Sequence, residues 1–394
     1  MIDPASLTPS ERRQSLTAIM ASIAVAGMGI GLYSPLMTYA LEGQGRARTV
    51  IGMVTATFAL AILLFAPHVP KILRRYGMIK PMWVAMATAS ICLILFRTFE
   101  YLPLWFAIEF ALGLSFTTIF VTTETWISMI ADDEHRGRIM ATYATFLSVG
   151  VASGLTTLYW MGSSGWGPII VTCGLLAVAG MILIPARARA PKPEASEEKN
   201  SILPFLKGSP SALLAALIFG AVEMGILNLL NVFGIRSGLE EGTATLMLLS
   251  VTAGNIIFQY PIGVLADKFD RRIVLAGCAG TGAIASFLIP AAIHNPLYLY
   301  GILLVVGGII LGMYAVGLTL IGERFQGSSL AGANAAFVTM YGLGALFGPL
   351  LGGFGMDVWD PNGLMVVMGA LCGGYALMVF ARLRRNASLT EGAG

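Results

Sequence analysis

Charge is scarce in this chain: Asp, Glu, Lys and Arg make up 11% of its 394 residues, against about 25% in soluble proteins. Histidine and cysteine are scarcer still, at three and four residues. His68, His135 and His294 fall at helix ends or in loops, and no Ser, His and Asp set sits in a motif, so no hydrolytic constellation emerges. Cys92, Cys173, Cys278 and Cys372 all lie inside apolar segments without metal-ligand spacing, which argues against disulfides and against a metal centre. No Gly-rich loop with Lys follows a strand, and the longest polar segment is far too short for a phosphate-binding domain. The expectation is a protein that is not an enzyme and carries no cofactor and no metal.

Apolar residues are what the chain has, at 56% of the sequence with a mean hydropathy of +0.79. A spanning helix needs about 20 predominantly apolar residues, and twelve segments meet that measure. They run over residues 16–39, 49–70, 81–98, 102–130, 137–160 and 165–186, then 211–234, 243–266, 272–293, 297–322, 330–356 and 363–381. The first, preceded by Arg12 and Arg13, is too long for the apolar core of a cleaved signal and reads as span 1.

The basic residues give these spans an orientation. Twenty of the 24 Lys and Arg residues gather in seven stretches on one side: Arg12 and Arg13; Lys71, Arg74, Arg75 and Lys80; Arg136 and Arg138; the five of the central linker; Lys268, Arg271 and Arg272; Arg324; and Arg382, Arg384 and Arg385. Arg46, Arg48, Arg97 and Arg236 lie opposite. By the positive-inside rule the first group and both termini are cytoplasmic, in a multi-pass protein of the plasma (inner) membrane. The net charge of +3 therefore reports topology and implies no nucleic acid; the expected partners are membrane lipids and a small-molecule substrate, with the chain acting as a monomer.

One polar segment divides the chain. Residues 187–210 carry Pro191, Pro193, Glu194, Glu197, Glu198, Lys199 and Lys207, too polar to span or to build a core. The expected domains are a six-helix bundle at 1–186, a cytoplasmic linker at 187–210 and a second six-helix bundle at 211–394. The halves resemble each other at an offset of about 200 residues: Glu124 precedes Tyr143 as Glu323 precedes Tyr341, and each Tyr opens a Gly-rich span. Among the 47 glycines, Gly27 and Gly31, Gly150 and Gly154, Gly308 and Gly312, and Gly344, Gly348 and Gly352 recur every four residues. That spacing puts small residues on one helix face and permits close helix approach.

Between spans 8 and 9 stand Gly263, Leu265, Ala266, Asp267, Lys268, Arg271 and Arg272. This run resembles the G-x-L-A-D-R-x-G-R-R signature loop of the major facilitator superfamily, at its second expected location. The resemblance extends over the whole chain in helix count and linker position. It implies an all-α membrane fold of 12 transmembrane helices in two six-helix bundles related by a pseudo-two-fold axis. It also implies alternating access to a site near the membrane midplane, with Asp267 bridging to basic groups and to the N-terminus of span 11. Two departures stand out: Asp270 replaces the usual Gly, and the first-half copy places Arg74 where the acid belongs. Arg74 and Arg75 could form a latch of reversed polarity with Asp132 and Asp133; the alternative is that both sets are solvated loop charges. Gly344, Gly348, Pro349, Gly352 and Gly353 in span 11 resemble a pattern that the family's drug antiporters carry in span 5, which marks a bendable helix here.

Ionisable residues inside hydrocarbon are costly and are functional candidates by default. Glu223 lies near the middle of span 7 and is the first candidate for proton coupling. Glu109 in span 4 is the second, unless Arg97 pairs with it and makes it structural. Glu124, near the inner end of span 4, suits a gating contact to Arg136 or Arg138. The remaining gating candidates are Asp267, Arg271, Arg272, Arg74 and Arg75. Cavity candidates are Tyr33, Tyr143, Asn228, Asn231, Asn255, Gln259, Tyr260, Tyr314, Asn334 and Tyr341, each of which could equally be a helix-to-helix hydrogen bond or an interfacial aromatic. The expected function is secondary active transport of a small organic solute, driven by a proton gradient. An ion-independent facilitator and a drug or metabolite efflux antiporter are the alternatives. With few basic residues inside the spans, a neutral, amphipathic or cationic solute fits better than an anion.

Overall fold

Backbone amides in hydrocarbon have no water to bond, so a chain this apolar must close its hydrogen bonds within each segment. The computed structural model, which describes residues 9–130, 136–186, 208–325 and 328–391, does this with helices, and no strand occurs among the described residues. The first half holds α1 (Pro9–Gly43), α2 (Arg48–Phe65), α3 (Val69–Tyr76), α4 (Ile79–Thr98), α5 (Leu102–Ile130), α6 (Arg136–Met161) and α7 (Gly167–Ala186). The second holds α8 (Pro210–Arg236), α9 (Glu241–Lys268), α10 (Arg271–Ala292), α11 (Pro296–Arg324), α12 (Ser328–Val358) and α13 (Gly363–Glu391). Among the described residues 11 helical segments are long and apolar enough to cross a membrane, with α2 and α3 counted as one; α6, at 26 residues, occupies the remaining position of the twelve. Large apolar side chains such as Ile170, Ile284 and Leu377 stand more than 60% exposed, a surface suited to lipid and not to water.

Span 2 departs from the expectation. The sequence reading ends it at Pro70 and leaves Lys71, Arg74 and Arg75 in a loop. The helix instead tightens into a 3-10 turn at Ala66–His68 and resumes as α3 through Tyr76. Pro67 and Pro70 each sit in the first positions of a new helical segment, where the missing N–H is not needed. The prolines therefore break the span without ending it, and the three basic residues ride on helix turns.

The chain forms two compact units. One combines Met1–Met37 with Thr57–Glu197, and the other combines Thr38–Ala56 with Glu198–Gly394. In the first unit the two spaced glycine pairs interlock. A Cβ at Gly27 or Gly31 would collide with the carbonyl oxygen of Leu147 or Val151 on α6, and one at Gly150 or Gly154 with that of Ala24 or Met28 on α1. The second unit repeats the device: Gly220 of α8 meets the Tyr341 carbonyl, while Gly344 and Gly348 of α12 meet those of Leu217 and Ala221. Gly254 and Gly307 do the same between α9 and α11. Such approach brings whole backbones into dispersion contact, which lipid cannot supply by hydrophobic burial alone.

This packing makes a specific prediction. Gly344→Val forces α8 and α12 apart and should cost about 1–3 kcal/mol, read as a lowered melting temperature in detergent. Gly277→Ala, at a position with open space around it, should leave the melt unchanged.

Candidate functional site

The second unit gathers a carboxylate and a set of aromatic rings from three helices. Phe219 and Glu223 are four residues apart on α8 and so share a face. On α12, Tyr341 donates its hydroxyl hydrogen to Glu223 Oε2 at 3.0 Å. Its ring stacks on Phe219, centroids 5.4 Å apart, and Tyr314 of α11 lies 5.0 Å from Phe219 and 6.1 Å from Tyr341. Phe337 closes the back of the group against Tyr314 at 5.2 Å. Phe219 and Phe337 are buried, whereas Glu223, Tyr314 and Tyr341 keep part of their surface open. Among the described residues no Lys or Arg forms an ion pair with Glu223.

The first unit contains a different arrangement. Glu109 on α5 is 3% exposed and faces Tyr33 on α1 and Cys92 on α4, both at 6%. The Tyr33 hydroxyl, although it interacts with Glu109, completes no hydrogen bond of full geometry. Phe96 packs edge-on against Tyr33 at 5.5 Å, and Trp105 lies 5.4 Å from Phe96. Arg97, the alternative partner, is exposed, and no ion pair joins it to Glu109 among the described residues. A separate chain of rings runs through Phe58, Phe116, Phe120 and Tyr143 at 5.6 to 6.1 Å. The Tyr143 hydroxyl shares a hydrogen with Thr123 at 2.9 Å, and Glu124 lies beside it. Phe116 and Tyr143 in the first half correspond to Tyr314 and Tyr341 in the second at one constant offset, so the repeat extends to the rings.

A third feature escaped the sequence reading altogether. Residues 38–56, the end of α1, the following loop and the start of α2, are held in the second unit by a charged network. Asp357 of α12 accepts the backbone N–H groups of Arg48 and Thr49 at 3.0 and 2.8 Å, capping α2 where the helix dipole favours an anion. The Arg48 guanidinium reaches Asp357 at 3.5 Å and also pairs with Asp360. Arg236 at the end of α8 pairs with Glu42 and lies 3.8 Å from Asp360. Neutral bonds flank the network: Asn231 donates its amide to the Thr38 hydroxyl, and the Tyr39 hydroxyl lies 2.9 Å from that of Thr245. Gly52 and Gly353 let the backbones touch, at the Pro349 and Arg48 carbonyls. The signal in the sequence was the sparse side itself: Arg48 and Arg236, two of its four basic residues, each find acids there.

The other candidates are dispersed. Arg271 of the signature loop pairs with Glu323 at the end of α11. Asp270, the departure from the family pattern, caps α10 by accepting the Arg272 N–H at 2.8 Å. Gly263 and Leu265 belong to the last turns of α9, followed by an exposed Lys268. Asn228 donates to the Met224 carbonyl one turn back at 2.8 Å, Gln259 and Asn334 are exposed, and Asn255 is partly buried. Arg75 lies over the Tyr76 ring at 5.2 Å, and Arg74 is partly buried on α3. Asp132 and Asp133, and the side chains of Arg136, Arg138, Tyr260 and Asp267, lie outside the described ones.

The model of the Major Facilitator Superfamily matches residues 19–254 and 238–393. The chain is 24% identical to the MFS-type transporter YfkF of Bacillus subtilis (strain 168), over 87% of this chain and 88% of that one. It is 23% identical to the MFS-type transporter YcaD of Escherichia coli (strain K12), over 96% and 97%. Among solved structures, the nucleoside transporter NupG superposes with a TM-score of 0.75 at 14% identity, covering 95% of this chain and 98% of that one. A bacterial homologue of the human lysosomal transporter Spinster, inward-facing and unoccupied, gives 0.74 at 13% identity, covering 95% and 96%. These last two speak for the fold alone. Twelve spans, the signature loop between α9 and α10 and a family match over nearly the whole length make this chain a member of the Major Facilitator Superfamily, a multi-pass membrane protein of the transporter type.

Proposed function

We propose that this chain is a proton-coupled secondary transporter that moves a small organic solute by alternating access, with Glu223 as the coupling carboxyl. The observation that supports this reading most is Glu223 itself: a half-buried residue inside a spanning helix, its carboxyl hydrogen-bonded to Tyr341 and without a basic partner among the described residues. An ionised group in low dielectric is tolerated only when something compensates it. Glu223 can be compensated in two ways, by a proton or by a bound group, and exchange of one for the other is the elementary act of coupling. Glu109 is enclosed with Tyr33 and serves as a second proton-holding group or as a packing element of its unit. The basic residue pattern supports a place in the cytoplasmic membrane with both termini inside.

The network around residues 38–56 suits the role of an exterior lock. Single exposed ion pairs contribute little, but here a helix-capping carboxylate, two guanidiniums and two further acids act on one short segment. The lock would hold this segment in the second unit for part of the cycle and release it for the rest. At the opposite helix ends, Arg271 and Glu323 make the corresponding restraint within the second unit, beside the signature loop. The counterpart within the first unit would join Arg74 and Arg75 to Asp132 and Asp133.

Two experiments follow. A thermal-shift screen against metabolites, siderophores and drugs identifies a solute, whose flux is then measured in proteoliposomes with an internal pH dye. Wild-type protein should move protons when the solute is added. Glu223→Gln should reduce proton movement to that of empty liposomes while retaining solute exchange. Coupling that survives Glu223→Gln removes the assignment, and solute flux without proton movement in the wild type identifies a facilitator instead. The lock is tested with Leu41→Cys, a buried position beside Glu42. Either Glu42→Arg or Arg236→Glu should raise its labelling by an impermeant maleimide several-fold, as expected for the loss of about 1 kcal/mol. Combining the two reversals should restore protection, and failure to do so contradicts the pairing.

A further inference from the structure

We propose that the transported solute is an organic cation, a quaternary ammonium or protonated amine with an apolar body, bound by the Glu223 carboxylate and the ring faces of Tyr314, Tyr341 and Phe219. This rests on the reading of Glu223 as the coupling carboxyl and adds the chemistry of what it exchanges with. Ring faces carry negative electrostatic potential and attract a cation within about 6 Å of the centroid, most strongly where water is excluded. Three rings lie within 6.1 Å of one another beside a carboxylate that one of them already bonds. Phe219 and Phe337 form the buried back of this group, at 4% and 0% exposure, while Glu223, Tyr314 and Tyr341, each half-buried, form its front.

The remaining charges of the unit argue the same way. The described basic residues of α8 to α11 stand at helix ends: Arg236 in the last turn of α8, Lys268 in that of α9, Arg271 and Arg272 at the first two residues of α10 and Arg324 in the last turn of α11. An anionic solute would meet Glu223 without a compensating cation. The Asn228 amide, the nearest polar donor along α8, bonds the Met224 carbonyl of its own helix. A cation entering the front replaces the proton: the carboxyl O–H breaks, the proton leaves to water, and the carboxylate keeps the ammonium by charge and ring contact. The charge at the site is the same before and after, so the exchange of a monovalent cation for one proton needs no other ion. In the first unit Glu109, 3% exposed beside the buried Tyr33 and Cys92, has no comparable half-buried ring group around it among the described residues.

The test uses the purified full-length protein and three probes of increasing apolar body: tetramethylammonium, benzyltrimethylammonium and tetraphenylphosphonium. Neopentylbenzene serves as the neutral isostere of the second. Calorimetric titration in two buffers of different ionisation enthalpy should show at least one of the cations binding with release of a proton. The neutral isostere should bind about ten-fold more weakly or less. Glu223→Gln should abolish proton release and weaken the cation about ten-fold or more, and Tyr314→Leu should weaken it several-fold with proton release retained. Glu223→Asp, which keeps the charge, should restore proton release and so separates loss of the carboxylate from loss of folding. Failure of all three cations to bind, equal binding of the neutral isostere, or unchanged binding in Glu223→Gln overturns the proposal. The two readings fail separately: if a neutral solute drives proton flux and no cation binds, coupling stands and the cation assignment falls. If cations bind but no solute moves protons, the coupling reading falls.

Discussion

An ionised group in hydrocarbon must be compensated, and almost every feature of this molecule follows from that requirement. It drives Lys and Arg to the helix ends, where they meet headgroups and water. It leaves the spanning interiors so poor in charge that each remaining carboxyl stands out. It also separates Glu109 from Glu223. The first is 3% exposed and faces Tyr33 and Cys92, while the second belongs to a half-buried residue whose carboxyl accepts a phenol hydroxyl.

Holding such a face in place demands a scaffold that is stiff where helices cross. Water-soluble bundles bury apolar surface to achieve this, but helices already in lipid gain little by it. The chain uses glycine instead. Gly27, Gly31, Gly150 and Gly154 let α1 and α6 touch through their backbones, and Gly220, Gly344 and Gly348 do so for α8 and α12. The second crossing sits directly at the site, because the carbonyl that Gly220 meets belongs to Tyr341, the residue bonded to Glu223. Packing and chemistry thus share the same two helices, and a side chain added at this crossing would disturb both.

Much of this was legible from residues alone. Apolar segments of spanning length, the Gly spacing and the isolated acids are local properties, and the twelve spans follow the pattern they suggest. Span 2 was misread because prolines usually stop a helix; Pro67 and Pro70 each fall at the start of a new segment, where their missing N–H costs nothing. The charged network around residues 38–56 was invisible for a different reason. Arg48 and Asp357 are separated by 309 positions, and nothing in the composition of either neighbourhood names the other. Likewise Glu223 and Tyr341, 118 positions apart, could each be singled out but not joined. Asp270 shows the reverse case, a departure from the family pattern whose capping role on α10 is entirely local.

The central claim is that Glu223 changes its compensation during transport, from a proton to a bound solute. Infrared difference spectroscopy of the reconstituted protein observes this directly, because a protonated carboxyl in an apolar setting absorbs apart from an ionised one. Adding the transported solute should remove a protonated-carboxyl band and produce a carboxylate band, and both changes should be missing in Glu223→Gln. A wild-type spectrum without any carboxyl change, or the same change persisting in Glu223→Gln, would contradict the account.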